Sequence, residues 1–538
     1  MTTSTNANTA GPVRVDPVTS EIINNALVAT AHEMNNVIVR TAFNPLLFDT
    51  KDFAIAVLSP DGELWAEDPG LTVFIGCLPA TIKSGIAKIG RAHFRDGDVL
   101  IVNDPYLTGT HISDSTIYMP VVHEGELVAF VAVTAHWADI GGRTPGGWDM
   151  TSTELFQEGL CFTHQWLVRE HEPVEDMLDF IAANVRFPDL VRGDLDAQIS
   201  ACRIGAARLV ALCRRYGPET VRDSMTQVVE STKVAVAKHI AALPDGSYTQ
   251  SVDMDYDGID PDIRPRLSVT MTVRGDRVTA TFDGTSGTAQ SSMNVPAVGT
   301  RSAVLAAVKG LLAPLEMTNE GHFANIDFEF PADSLINPRR PAGCDSYGLV
   351  ADAIGELTLM ALSPLFPETG RAGSYQLFGV YLMRTNPAYG DPFIMIEPIV
   401  GGHGGHSAGD GSTVIFGLDG DTLNLPTEVM ENRYPLRCLR YELALDSAGN
   451  GASRGGCGVL REYQILEEGT ILTYANENTR SVLARGVDGG HDGQPSYLVL
   501  HPGTDREEVL KMRSNDAADL RPGDVLRTVS GGGGGWGV

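Results

Sequence analysis

Asp104, His111 and Asp114 fall within one twelve-residue stretch, NDPYLTGTHISD (103–114), and His136 follows in VTAHWAD. Two imidazoles and two or three carboxylates converging on one point would make a mixed nitrogen and oxygen site. Such a donor set suits Zn, Mn or Fe better than Cu(I) or a thiolate centre. Three or four protein ligands would also leave a coordination position for water, as catalysis requires. The HxxD spacing of His111 and Asp114 has low specificity. The same residues suit a polar turn whose carboxylates accept backbone N–H bonds. Both readings stand at this level.

For these side chains to meet, the apolar strand Val99–Val102 must end in the polar loop, and His136 must end the strand Leu127–Ala135. IYMPVV and LVAFVAVTAH, joined through HEGE, predict a hairpin whose second strand is apolar almost throughout, as for a strand buried on both faces. FAIAVLS, PDG and ELWAE predict a second hairpin. Asp16-Pro17 has the form of a helix start, and Ile23, Leu27, Met34 and Ile38 continue at helical spacing to about Thr41. LDAQISACRIGAARLVALCRRYG predicts a helix from Asp194 to Tyr216 stopping at Gly217, and SMTQVVESTKVAVAKHIAAL another. SYTQSVDMDY, LSVTMTVRG and DRVTATFDG alternate with the two-residue period of antiparallel strands. SAVLAAVKGLLAPL and GLVADAIGELTLMALSPL read as buried helices. The expected fold is mixed α/β (α+β), multi-domain, with antiparallel sheets and packed helices. The expected boundaries are a flexible tail over 1–15, an N-terminal metal-binding α/β domain over 16–245, a central α/β domain over 246–370, and a glycine-rich, β-rich domain over 371–538.

The chain length of 538 residues is too great for one compact core and suggests about three to four modules. A net charge of -28 argues against nucleic acid, which needs clustered Lys and Arg. The seven cysteines are scattered and form no CxxC pair, so neither a zinc ribbon nor a disulfide framework is indicated. The N-terminus lacks an apolar signal core, and no stretch approaches the roughly 18 to 20 apolar residues of a membrane span. The expected compartment is the reducing cytoplasm.

GGHGGHSAGDG (401–411) offers His403, His406 and Asp410, but an HxxH pair among glycines fits a loop approaching a ligand or another chain better than a second metal. SGGGGGWGV lacks the GKS or GKT ending of a P-loop, and no such motif occurs elsewhere. Cys344 and Cys457 have no histidine nearby in sequence to activate them, so both read as structural thiols. Gln157 and Glu158 in LFQEGL are candidates for lining a pocket.

NDPYLTGTHISD followed by PVVHEGELVAFVAVTAHWADIGG resembles the hydantoinase B and oxoprolinase family. That family includes caprolactamase-type lactam hydrolases and the large subunits of acetone and acetophenone carboxylases. The resemblance continues through LFQEGL (155–160), GDLDAQISACRIGAARL (193–209), MNVPAVGTRSAVLAAVKG (293–310), GGHGGHSAGDG, ENRYPLRCLRYEL (431–443) and SGGGGGWG (530–537). It implies one divalent metal ion, Zn first and Mn or Fe as alternatives. The implied ligands are His111, Asp114 and His136, with Asp49 of LLFDTKDF as the fourth. Asp104 then shapes the loop or orients a ligand imidazole, and Asp139 is the candidate for steering water or acting as base. The resemblance also implies a hetero-oligomer with a hydantoinase A-like partner that uses ATP to phosphorylate a carbonyl oxygen. The expected activity is hydrolysis of a small cyclic amide of hydantoin, lactam or oxoproline type. The alternatives are the large subunit of an ATP-dependent ketone carboxylase and a non-catalytic scaffold for the ATPase.

Overall fold

One antiparallel sheet positions most of the candidate residues. Its strands are β1 (Phe53–Leu58), β2 (Leu64–Asp68), β3 (Val99–Val102), β4 (Asp114–His123), β5 (Glu126–His136), β6 (Thr163–Arg169) and β7 (Glu172–Pro173). They lie in the order β2-β1-β5-β4-β3-β6-β7. The structure is a computed structural model describing residues 15–538 except 69, 367, 418–419, 421, 477–483 and 511–513. Residues 1–14 of the expected tail therefore lie outside the described residues.

Both expected hairpins form. The β4–β5 turn is the two-residue pair Glu124 and Gly125, both at positive φ (50° and 84°), the backbone that matches the twist of paired strands. β5 is buried from Leu127 onwards, and its alternate residues enter two cores. Val131 and Val133 join Ile55, Val57 and Ile117 against the helices Pro17–Thr41 and Pro188–Tyr216. Phe130 and Ala132 join Ala54, Ala56 and Tyr118 on the opposite face, against the helix Cys77–Ile89. A one-residue slip in register would exchange these faces, so burial on both sides fixes the pairing.

The helix expected from Asp194 starts earlier, at Pro188. Proline at the first helical position supplies the start, and Asp194 is used inside the helix. Its Oδ1 accepts the backbone N–H groups of Phe43 (2.8 Å) and Asn44 (3.1 Å). Asp16 does cap its helix, accepting from Thr19 N at 3.0 Å.

Gly246–Asp253, Arg266–Arg274 and Arg277–Thr281 pair antiparallel as their alternation predicts, and Ile326–Glu329 adds a parallel edge strand. Two further sheets lie in the last third, one of four strands and one of five. Each sheet forms within one of the three expected segments, yet a single hydrophobic cluster runs through all of them. It joins Ala56 to Leu267, Leu349, Phe378 and Leu526.

Thr72–Ile89 and Tyr347–Leu365 are long and apolar enough to cross a membrane, which corrects the reading that no such stretch exists. Tyr347–Leu365 is 89% buried inside the protein and carries the buried carboxylates Asp352 and Glu356. A core helix meets the same length and composition test as a membrane span.

The glycine-rich stretches 401–411, 449–458 and 530–537 interlock through their backbones. Gly402 N donates to Gly531 O (3.1 Å), Gly405 N to Gly534 O (2.8 Å), and Gly456 N to His403 O (2.8 Å). A Cβ on Gly533 would sit 1.9 Å from His403 O, and one on Gly402 would sit 2.0 Å from Gly456 O. Only residues without side chains let three backbones approach so closely. We expect Gly533→Ala to cost about 2–3 kcal/mol, read as a lower denaturant midpoint. Gly310→Ala, in a helix with open space around the new methyl, should leave the midpoint unchanged or raised. An unaltered midpoint for Gly533→Ala would overturn the interlocked arrangement.

Candidate metal centre

Asp114 opens β4 and His136 closes β5, and the two are paired residues in the ladder. His111 reaches them from the loop just before β4. The ring nitrogens and one carboxylate oxygen form a small triangle. His111 Nε2 lies 3.0 Å from Asp114 Oδ1 and 3.0 Å from His136 Nδ1, and His136 Nδ1 lies 3.2 Å from Asp114 Oδ1. All three residues are buried. For metal bonds of about 2.0–2.1 Å, neighbouring ligand atoms stand roughly 2.9–3.4 Å apart, so the triangle has the dimensions of a ligand face. Among the described residues, this is the one group of three or more His, Cys, Asp or Glu side chains placed to hold a metal ion.

The surrounding groups set up the same chemistry. His111 Nδ1 is 2.8 Å from the carbonyl oxygen of Asp345. A carbonyl only accepts, so Nδ1 carries a proton, and in the neutral imidazole it is Nε2 that presents its lone pair to the triangle. Tyr347 Oη donates to Asp114 Oδ2 at 3.1 Å, which aims Oδ1 at the imidazoles. Burial alone would lower the His111 pKa, but the adjacent Asp114 outweighs it and lifts the imidazole to about 9. Burial opposes charge on Asp114 too, and His111 and His136 nonetheless hold it below the usual carboxylate range. The three atoms favour a positive charge between them.

One buried carboxylate, Glu158, supports the loop that carries Asp345. Glu158 Oε1 accepts from Cys344 N (2.7 Å) and Asp345 N (3.1 Å). Burial, reinforced by the Asp345 charge, pushes Glu158 well above its ordinary range, and burial also raises Asp345. Glu158 thus positions the segment that orients His111, and Gln157 forms part of a local capping box.

The triangle forms one wall of a cavity of ≈ 60 Å³. Trp148, Tyr347, Phe378, Tyr381 and Phe416 supply aromatic walls, and Asp52 and Glu397 contribute carboxylates. Glu397 is fully buried, held by Arg461 Nη1 and by Tyr463 Oη at 2.6 Å. The cavity therefore lies between the N-terminal sheet and the strands Phe378–Arg384 and Phe393–Pro398 of the last third.

Asp49 stands apart from this group. It follows the short helix Pro45–Phe48, and the charge that acts on it is Arg433. Asp52 lines the cavity instead. Phe53 pairs with Ala135, and His136 N donates to Asp52 O at 3.2 Å. The Asp52 carboxyl is driven up to about 6 by burial, with His136 pulling the other way, and its Oδ1 is buried without a hydrogen-bond partner. Sequence reasoning passed over Asp52 as a cavity residue, and its place next to the first residue of β1 was the available signal.

Asp139 is also placed elsewhere. Arg186 N donates to its Oδ2 at 2.5 Å and Arg186 Nη1 to its Oδ1 at 2.8 Å, so both oxygens are engaged away from the cavity. That geometry corrects the expected water-steering role to one of anchoring a loop. Asp104 caps the turn it precedes, accepting from Tyr106 N at 3.1 Å, and pairs with Arg340. His403 Nε2 donates to Phe416 O at 2.7 Å and is lowered to about 3 by burial, while Asp410 accepts from Arg454 N. Among the described residues, neither belongs to a group of three or more ligand-type side chains. Cys344 is buried, its thiol pushed well above its ordinary range by burial, and Cys457 is buried with its Sγ 3.7 Å from Leu445 O.

The sequence matches the family model Hydantoinase B/oxoprolinase over residues 16–538. A putative B subunit of a D-/L-hydantoinase from Pseudomonas sp. is 29% identical over 542 residues, covering 97% of this chain and 90% of the relative. The beta subunit of the caprolactamase of Pseudomonas jessenii is 26% identical over 544 residues, covering 97% and 91%. The 5-oxoprolinase of Dictyostelium discoideum is 26% identical over 529 residues, which is 97% of this chain but 40% of the longer relative. In fold, the crystal structure of the ATP-dependent caprolactamase from Pseudomonas jessenii matches with a TM-score of 0.90 at 24% identity, over 98% and 92% of the two chains. Nucleotide-free acetone carboxylase matches with 0.89 at 18% identity, over 97% and 76%.

Breaking the Asp139–Arg186 pair should act on stability. Asp139→Ala is expected to lower the unfolding free energy by about 2–4 kcal/mol, because it strands a partly buried guanidinium. Equilibrium denaturation would record this, and an unchanged midpoint would return Asp139 to the candidates for reaction chemistry.

Proposed function

The chain belongs to the hydantoinase B/oxoprolinase family, and from that premise we propose that it is the metal-dependent member of a cytoplasmic, ATP-dependent cyclic amide hydrolase of two kinds of chain. The observation that carries this reading is the buried triangle of His111, Asp114 and His136 on the wall of an aromatic cavity. These three residues would hold one divalent ion, Zn before Mn or Fe, and Asp52 is a further carboxylate lining the same cavity. A divalent ion bound there would supply Lewis acidity and would lower the pKa of water from 15.7 towards about 7.

The chain's own residues do the rest. Asp345 O fixes the His111 tautomer, Tyr347 orients Asp114, and the aromatic walls keep bulk water from a reactive substrate. An unactivated amide resists attack because its resonance is lost in the tetrahedral transition state. A phosphorylated carbonyl oxygen would remove that resistance by becoming a leaving group. The hydantoinase and caprolactamase relatives are each named as one subunit of a larger enzyme. That favours a hetero-oligomer in which a hydantoinase A-like partner performs the ATP-dependent step. The likeness in fold to acetone carboxylase favours a second reading, in which the same cavity serves carboxylation of a small ketone.

Purified protein should contain about one equivalent of divalent metal by mass spectrometry of the elements. His111→Ala and His136→Ala should lose it, Asp52→Asn should weaken binding at least about tenfold, and Asp49→Asn should leave it intact. With its ATPase partner the chain should hydrolyse a cyclic amide only when metal is present. Full turnover of metal-free protein would reject the reading, and incorporation of labelled bicarbonate into a ketone would favour the second.

A further inference from the structure

Trp148 is the residue of the cavity wall whose conformation and chemistry the metal site does not use. It follows Gly146 and Gly147, both at positive φ (80° and 74°), and itself sits at φ 57°. Glycine takes that conformation freely, whereas a bulky side chain there is a strained outlier of the kind that collects at ligand sites. The strain presents the indole to the centre. Its ring stands edge-on to His111 with centroids 6.0 Å apart, and lies 6.2 Å from Tyr381. Gly348, at the start of the helix Tyr347–Leu362, makes room for it: a Cβ there would come within 3.4 Å of the Trp148 ring.

The indole Nε1 is buried and has no hydrogen-bond partner. Buried tryptophan N–H groups normally find an acceptor, and leaving one unpaired carries a desolvation cost. By contrast, Trp137 Nε1 donates to Gln198 at 2.8 Å. The acceptor for Trp148 is then expected from whatever fills the cavity it lines.

We propose that Trp148 is the substrate-recognising residue of this cavity. Its indole N–H donates to the carbonyl oxygen of the cyclic amide, and its ring bulk limits the size of ring admitted beside His111. This rests on the proposed reading of the site as one for cyclic amides. A neutral donor aimed at a carbonyl oxygen selects for a small ring bearing that oxygen and against a saturated ring of equal size.

The test is direct binding, independent of turnover. Full-length, Zn-loaded protein carrying ¹⁵N-indole tryptophan has five indole N–H signals, one for each Trp. Trp148→Phe identifies the signal of Trp148, and Trp148→Tyr identifies it should the first variant not fold. Millimolar 2-pyrrolidinone, ε-caprolactam or hydantoin should shift the Trp148 signal downfield while leaving that of Trp137 in place. Trp148→Phe should weaken binding of the same probe about 3- to 10-fold, as for loss of one neutral hydrogen bond. Trp148→Leu should move preference towards the larger ring. A shift with cyclohexanone but with no cyclic amide keeps the role of Trp148 and removes the cyclic amide as its ligand. No shift with any of the four probes overturns the inference, while the metal and turnover measurements still decide the function separately.

Discussion

The register between β4 and β5 is the constraint from which the centre follows. Asp114 and His136 are 22 residues apart in sequence, yet they are direct partners across two antiparallel strands. Cross-strand partners have Cβ atoms roughly 4.5–5.5 Å apart, close enough for an imidazole and a carboxylate to share one point. The pairing of β1 with β5 extends the line, setting Phe53 opposite Ala135 and so Asp52 beside His136. Nothing about the ligand residues themselves enforces that register. It is enforced by Val131, Val133, Phe130 and Ala132, which must face the correct cores on either side of the sheet.

That dependence explains how far the site could be seen in the sequence. The loop 103–114 and the hairpin that follows it are local features, so alternation and turn chemistry could bring His136 near the loop, while the set His111, Asp114 and His136 came from the family resemblance. Asp49 and Asp52 are three residues apart, and composition alone does not tell which lines the cavity. The choice is made by the short helix Pro45–Phe48 and by Lys51, whose φ of 62° turns the chain into β1. Asp139 looked available because its partner, Arg186, lies 47 residues away. Asp345 and Tyr347 were out of reach for the same reason, being 234 and 233 residues from the groups they touch. Residues whose role comes through a single distant contact leave no periodic trace.

The glycine-rich last third was legible in kind but not in purpose. Its glycines predicted close backbone approach, and the three stretches do bond to one another. The consequence lies at the cavity. Ala372 N donates to Gly405 O at 2.8 Å and Tyr375 N to Gly402 O at 3.0 Å, so the interlock ties the segment leading into Phe378–Arg384. Phe378 and Tyr381 of that strand then form the cavity wall opposite the triangle. A rigid scaffold of bare backbone thus holds an aromatic wall against a polar one drawn from the other end of the chain.

The electrostatics of the enclosed region point to what belongs there. Asp114, Glu158 and Asp345 are buried about the two imidazoles, and the half-buried Asp52 adds a buried Oδ1. Burial raises three of them above their ordinary range, and only Asp114, in contact with both histidines, is held low. Isolated buried carboxylates are costly and are normally paired or bound to metal. Protons on these acids and on His111 would neutralise the region, with His111 Nε2 then donating across the 3.0 Å contact to His136 Nδ1. The proposed divalent cation would take the place of those protons, meeting a lone pair from each imidazole and balancing the negative charge of the surrounding carboxylates.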